Sequence, residues 1–250
     1  MQTFDKRKKY LHVFEFLAPC LTCNVLLFFI AGFLYTSTLH SQQIPSRSQQ
    51  AVQHIQNLKQ GVLLVRLSTR MQAIQSYNQS GQKDLAEKLA AEQAEINRLI
   101  AESFKNNFNF CRVYFFYSNY SEFILSNEYD KIIFMNYNLN PDTTVNLKNE
   151  KFLIAEFARI EQDTSATGWE YYKDKSSLKE NEQHDALRYA GGNYGMSALI
   201  VRSNKLVQLS KPFPYYVKYR PERDHKKEIN LRVQMLNQKL TDYYTTVTGK

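Results

Sequence analysis

The sequence predicts an α+β fold: an N-terminal hydrophobic export or anchor segment, a long α-helical hairpin, a small mixed or antiparallel sheet and a C-terminal amphipathic helix. Three observations support this prediction. The chain has 250 residues, 43% of them hydrophobic and 14% aromatic, which is enough to bury a sizeable core. Apolar residues recur at helical spacing in the first and last parts of the chain. Aromatic and β-branched runs, typical of strands, fill the part between them.

The N-terminal segment carries the clearest signal. Residues 16–39 contain no charged side chain, and a basic cluster, residues 6–9, precedes them. An uncharged stretch of this length can span a bilayer, and the basic flank holds the N-terminus in the cytoplasm. The segment is therefore predicted to be either a single inner-membrane anchor or a signal peptide that is cleaved after Ser41, which would release the protein into the periplasm. Both alternatives export everything that follows residue 41.

The end of this segment, "TSTLHSQQ", places Gln42 directly after the small Ser41. In this it resembles the export signals of Bacteroidota, and the resemblance covers only the first forty-odd residues. It implies an exported cell-envelope protein of that group and implies no activity. Cys20 and Cys23 form a CxxC spacing, but they lie inside this segment and lack the turn-and-helix context of a redox site.

Residues 42–108 are predicted to form a linker and a helical hairpin. Ile55, Leu58, Val62 and Val65 step by four, three and four residues, which predicts a helix over 47–79. A second periodic pattern predicts its antiparallel partner over 83–106. The apolar faces are expected to close on each other and on the following domain. The alternative is a coiled coil that binds a partner, although the heptads are irregular.

Residues 109–220 are predicted to form an α+β domain. The strand candidates are "CRVYFFYS", "KIIFMNYNL", "KFLIAEFARI" (a strand or a short helix), a hairpin of "SALIVRS" and "KLVQLS", and "YYVKYR". The connections after Ile200 are too short for parallel crossovers, so the last strands should be antiparallel. Pro221 then opens a helix over 221–247, because Ile229, Val233 and Leu236 follow helical spacing.

The charge and the motifs limit the function classes. A net charge of +8 is spread along the chain instead of forming a basic stripe, so no nucleic-acid partner is predicted. The sequence contains no GxxxxGK[ST], HExxH or GxSxG motif. The chain is therefore predicted to be no enzyme and to hold no cofactor or metal. An unrecognised enzyme would depend on His184 or on Cys111, and the latter is interpreted as a small buried residue of a strand.

The stretch "AGGNYGMSALIV" is interpreted as a tight bend that enters a strand, because no helix follows the glycines to bind phosphate. The main functional prediction is a non-enzymatic cell-envelope protein with an interaction or structural role, whose partners are other envelope proteins. The alternative is an exported domain that binds a small ligand or a glycan on a tyrosine-rich surface. The residues predicted for that surface are Tyr189, Asn193, Tyr194, Tyr215, Tyr216 and Tyr219.

Overall fold

A computed structural model describes residues 45–161 and 195–249. The predicted export segment, His184, Tyr189, Asn193 and Tyr194 lie outside the described residues. The helices are α1 (Arg47–Gln60), α2 (Met71–Gln79), α3 (Lys83–Asn107), α4 (Ser121–Leu125) and α5 (His225–Thr248). The strands are β1 (Val62–Leu67), β2 (Arg112–Tyr117), β3 (Phe152–Arg159), β4 (Ser197–Arg202) and β5 (Tyr216–Lys218).

The five strands form one mixed sheet with the order β2-β1-β3-β4-β5. Strand β1 pairs in parallel with both β2 and β3. Strand β4 is antiparallel to β3 and to β5. The mixed sheet and the C-terminal helix are confirmed, but this helix begins at His225 and not at Pro221, because the Asp224 side chain caps it by accepting from the Lys227 N–H. The short connections after Ile200 do produce antiparallel pairing.

The predicted helix over 47–79 is wrong, because its middle is an interior strand of the sheet. The run "VLLVRL" forms β1, and Val62 to Val65 and Leu67 are each at most 1% exposed. A central parallel strand is buried on both faces, so its apolar residues run on without alternation and also fit a wide helical stripe. Gly61 ends α1 directly before this strand. The second predicted helix, 83–106, is confirmed as α3.

The other strand predictions are confirmed for four runs and wrong for two. The runs "CRVYFFYS", "SALIVRS" and "YYVKYR" contain β2, β4 and β5, and "KFLIAEFARI" contains a strand instead of a short helix. The run "KIIFMNYNL" contributes only isolated bridges made by Met135, and "KLVQLS" only one between Gln208 and Arg202. Each of these two runs contains a leucine at positive φ, Leu139 in the first and Leu206 in the second. Such a residue belongs to a turn and does not continue a strand.

The two faces of the sheet are covered by different parts of the chain. Helices α1, α3 and α5 pack on one face, where Leu58, Phe104 and Leu236 are completely buried. The irregular segment 118–150 packs on the other face through Ile124, Ile132, Phe134 and Leu147. The β1–β2 and β2–β3 connections therefore run in opposite directions over opposite faces. This gives them the same hand, as expected for parallel crossovers.

Strands β1, β2, β3 and β5 all end at the same edge of the sheet, which we call the carboxyl edge; the opposite one is the amino edge. Helix α5 begins at the carboxyl edge, where His225 contacts Tyr219. It ends at the amino edge, where Tyr244 and Tyr243 stack on Phe110 and Phe213. The start of α1 borders a cavity that Phe213 also lines, so the described domain begins at the amino edge as well.

Within residues 45–161 and 195–249, no helix has both the length and the apolar character that crossing a membrane requires.

Gly61 is the residue on which the α1–β1 junction depends. A Cβ atom at this position would lie 1.9 Å from the carbonyl oxygen of Lys151, the same oxygen that accepts a hydrogen bond from the Val62 N–H. We expect Gly61→Ala to lower the free energy of unfolding by at least about 3 kcal/mol, because the backbone of β3 would have to move. Urea unfolding of the full chain measures this loss.

The control is Gly81→Asn. Gly81 has a φ of +78°, and nothing lies within 4 Å of an added Cβ. Asparagine tolerates this conformation, so the change should cost less than about 1 kcal/mol. Equal losses for the two variants would contradict the role assigned to Gly61.

Candidate functional site

The site lies at the carboxyl edge, between the ends of β1 and β3. In the strand order β2-β1-β3-β4-β5, the chain leaves β1 toward β2 on one side and leaves β3 toward β4 on the other side. The connections that follow β1 and β3 therefore diverge. In open α/β sheets, ligands bind in the crevice outside the carboxyl ends of strands at such a switch point. A cavity of about 200 Å³ lies there. We call it the carboxyl-edge crevice.

A larger cavity of about 590 Å³ is formed by residues 129–147. All of its lining comes from that one irregular segment, and none of its polar lining residues is buried. The carboxyl-edge crevice differs in both respects, because β1, β3, α3, α5 and the turns beside them all contribute to it. It is therefore the better candidate for a built binding site.

Helix α3 supplies a buried polar wall. Gln93 and Asn97 are 6% and 4% exposed and lie one helical turn apart. The Gln93 Nε2 donates to the Asn97 Oδ1 at 3.0 Å, and the Asn97 Nδ2 donates to the carbonyl oxygen of Ser68 at 2.9 Å. These bonds attach α3 to the chain just after β1. The Gln93 Oε1 accepts no hydrogen bond from any described residue, which leaves it for water or a ligand.

Arg66 borders the crevice at the end of β1, but its side chain lies on the other face of the sheet, where it belongs to a charged network. The β1–β3 register places it beside the buried Glu156, which also pairs with Arg202 on β4. The Arg66 Nε donates to the Ser121 Oγ at 2.8 Å. Arg202 also pairs with Glu161 at 2.7 Å, so two glutamates balance the two arginines of this network. Arg66 is thus held in place with its charge neutralised.

Arg70 follows β1 and has no comparable partner. It lies in the left-handed region at φ 47°, immediately before α2, and its side chain is exposed. It forms no ion pair with any described residue. For a residue other than glycine, this conformation costs about 1–2 kcal/mol. The guanidinium is free to bind an anion at the mouth of the crevice.

The opposite wall comes from the β5–α5 turn. The Tyr219 hydroxyl and the His225 Nδ1 form a hydrogen bond of 2.9 Å, and the Tyr219 ring stacks edge-on against Phe157 at 5.0 Å. Burial, together with the negative charges of Glu228 and Glu222, raises the pKa of Tyr219. Its hydroxyl is therefore protonated at neutral pH. Tyr219 presents an apolar ring with a polar tip to the crevice.

The floor of the crevice is apolar. It is formed by two residues of α3, Ile96 and Ile100, and by Phe157 and Ile229. Ile100 and Ile229 are almost fully buried. No aspartate or glutamate belongs to the described lining. The crevice therefore combines a cationic, donor-rich mouth with an apolar interior.

Of the residues predicted from the sequence, Tyr219 lines this crevice. Tyr215 packs against the cluster on the helical face of the sheet, and Tyr216 packs against Ile160 and its neighbours on the other face. The rings of Tyr215 and Tyr216 lie 4.8 Å apart, but the structure does not place either of them in the crevice. Tyr189, Asn193 and Tyr194 lie outside the described residues.

The sequence did not identify Arg66, Arg70, Gln93 and Asn97 as site residues. The reason is that β1, which contains Arg66 and ends shortly before Arg70, was assigned to a helix. Once "VLLVRL" is recognised as a buried strand, the polar "STR" that follows it marks a strand end, which is where α/β sheets place binding residues. The amides of α3 carry a weaker signal: they are polar residues spaced i,i+4 among apolar ones.

The described residues contain no cluster of metal ligands. No three histidine, cysteine, aspartate or glutamate side chains among residues 45–161 and 195–249 are grouped as metal ligands would be. Comparison with protein-family models, with curated proteins and with solved structures finds no match. The geometry of the crevice is therefore the basis for the functional inference.

Cys111 is expected to be chemically inert. It lies directly before β2 with its thiol largely enclosed, and burial raises the pKa of this thiol to about 12. Because only the thiolate attacks alkylating reagents, we expect iodoacetamide at pH 8 to modify Cys111 at least tenfold more slowly in the folded chain than in urea. Peptide mass spectrometry separates Cys111 from Cys20 and Cys23. Equal rates in both conditions would mean that the thiol is accessible.

Proposed function

We propose that this chain is a non-enzymatic binding protein of the cell envelope, and that its exported α+β domain holds a small ligand in the carboxyl-edge crevice. The observation that carries the ligand site is the buried polar wall of Gln93 and Asn97 above an apolar floor, at the switch point of the sheet. The Gln93 Oε1 has no described partner and is not among the enclosed atoms that lack one, so a molecule in the crevice can reach it. The envelope location depends on residues 1–41 alone.

Binding fits the crevice better than catalysis. Its titratable lining consists of Arg66, Arg70, Tyr219 and His225, with no carboxylate or thiol among the described lining residues. The one hydrogen-bonded pair with acid–base character, Tyr219 with His225, has no described nucleophile bound to it. Donors around an apolar interior are what the recognition of a small molecule requires.

A crevice-filling variant tests this proposal. Ile96 lines the crevice, and Ile96→Trp puts an indole ring into it. Leu85 lies on the same helix but is 48% exposed and outside the crevice, which makes Leu85→Trp the matched control. The full chain in mild detergent is screened against small water-soluble organic compounds by thermal unfolding.

We expect at least one compound to raise the Tm of the wild type and of Leu85→Trp by several degrees. A ligand at 100 times its Kd adds about 2.7 kcal/mol to the folded state. The same compound should leave the Tm of Ile96→Trp unchanged. If every stabilising compound acts equally on Ile96→Trp, or if none stabilises the wild type, the crevice is not a ligand site.

A second candidate function, binding of another envelope protein, is favoured by helix α2. None of its nine residues is buried or charged, and Met71 and Tyr77 are exposed. Interface cores are enriched in methionine and tyrosine and depleted of charge. A helix of nine residues is only about 13.5 Å long, which is small for a stable interface of about 800 Å² per partner. A transient contact with a different protein fits α2 better than a permanent dimer.

A photo-crosslinking residue at position 77, in the full chain expressed in a Gram-negative host, tests this candidate. We expect one discrete adduct that disappears when Met71→Glu is added and persists when Gln75→Glu is added on the same helix. An adduct of twice the chain mass would assign α2 to self-association instead. Adducts of equal yield with both glutamate variants would exclude a specific contact through α2.

A further inference from the structure

The chemistry of the crevice lining defines which ligands it can accept. Arg70 is the one cation of the lining without a described partner, whereas Arg66 shares its charge with Glu156. One uncommitted guanidinium matches one negative charge. A guanidinium binds a carboxylate through two parallel hydrogen bonds, which fixes its orientation as well as its position.

The remaining polar groups add donors around the same opening. The amide nitrogens of Gln93 and Asn97 each carry a second N–H beyond the bond that they already make. Tyr219 adds a hydroxyl on the opposite wall. No acidic side chain belongs to the described lining, although Glu222 and Glu228 act on Tyr219 from outside it. A cation at the opening would meet Arg70, which pairs with no described carboxylate.

The size and the floor of the crevice limit the size and the polarity of the part of the ligand beyond its carboxylate. A dry protein cavity of about 150 Å³ accommodates benzene. The carboxyl-edge crevice, at about 200 Å³, has room for a ring of that size and a carboxylate. The floor of Ile96, Ile100, Phe157 and Ile229 favours an apolar body over a sugar, whose hydroxyls would lose their hydrogen bonds to water.

We infer that the carboxyl-edge crevice binds a small organic monocarboxylate with an apolar body, whose carboxylate pairs with Arg70 while the apolar body lies on the floor formed by α3, Phe157 and Ile229. This inference rests on the proposed function, because it names the ligand class of the same site. The left-handed conformation of Arg70 is consistent with it. Residues held in sparsely populated backbone conformations cluster at binding sites, where the rest of the structure compensates for their cost.

Benzoate is the probe, and the neutral, nearly isosteric benzamide is its control. Titration calorimetry on the full chain in mild detergent measures both Kd values. We expect benzoate to bind at least tenfold more tightly than benzamide, because hydrogen bonds to charged groups are worth about 1.5–3 kcal/mol and 1.4 kcal/mol is a factor of ten. The difference should shrink in high salt, since Arg70 is exposed at the mouth.

Two arginine variants test whether Arg70 is the residue that binds the carboxylate of benzoate. Arg70→Asn removes the guanidinium and keeps a residue that tolerates positive φ, so the fold should persist. We expect it to weaken benzoate binding at least tenfold and to leave benzamide binding unchanged. Arg112→Gln removes an exposed arginine at the start of β2, on the amino edge, and should change neither Kd.

The outcomes separate this inference from the proposed function. If benzoate and benzamide bind equally and Ile96→Trp abolishes both, the crevice is a ligand site, but the carboxylate class is wrong. If neither probe binds while other compounds lose their effect in Ile96→Trp, the class is again wrong and the proposed function stands. If Arg70→Asn and Arg112→Gln weaken benzoate binding equally, the anion is not held by Arg70, and the inference falls.

Discussion

The burial of β1 between two parallel neighbours is the constraint on which the rest of the structure depends. A Val or Leu side chain taken out of water contributes about 1.5–3 kcal/mol, and five of the six residues of β1 are almost completely buried. Both faces of the strand must therefore be covered. Helices α1, α3 and α5 cover one face, and segment 118–150 covers the other. The divergence of the two crossovers follows from this requirement.

The same strand determines the chemistry of the site. Arg66 is the only residue of β1 that is not apolar, and the β1–β3 register places it beside Glu156 on the face covered by the irregular segment. The chain then leaves the sheet through Ser68 and Arg70, opposite the buried amides of α3. The end of β1 and the turn after it thus place the charged network on one face of the sheet and the crevice on the other.

The sequence was sufficient to predict α3, the C-terminal helix and the strands β2, β4 and β5. It left β3 open as a strand or a short helix, and the sheet open as mixed or antiparallel. It misled at residues 62–67, because a short continuous apolar run has no periodicity that separates a buried strand from a helix. That error hid the crevice, because Arg70 follows the end of β1 at Leu67 and Gln93 lies on the helix that packs beside this end. Tyr219 was found because a tyrosine beside basic residues offers a ligand a large apolar face with a polar tip, whatever the topology.

The distance along the chain between the pairing partners of β1 also affects how this protein is made. Val65 pairs with Phe115 and with Ala155, which the ribosome adds 50 and 90 residues later. At about 5–20 residues per second, the newly made strand waits roughly 5 to 20 s for its second neighbour. During that time "VLLVRL" is an unpaired apolar segment of high strand propensity. The nascent chain thus exposes an aggregation-prone segment that the folded protein buries.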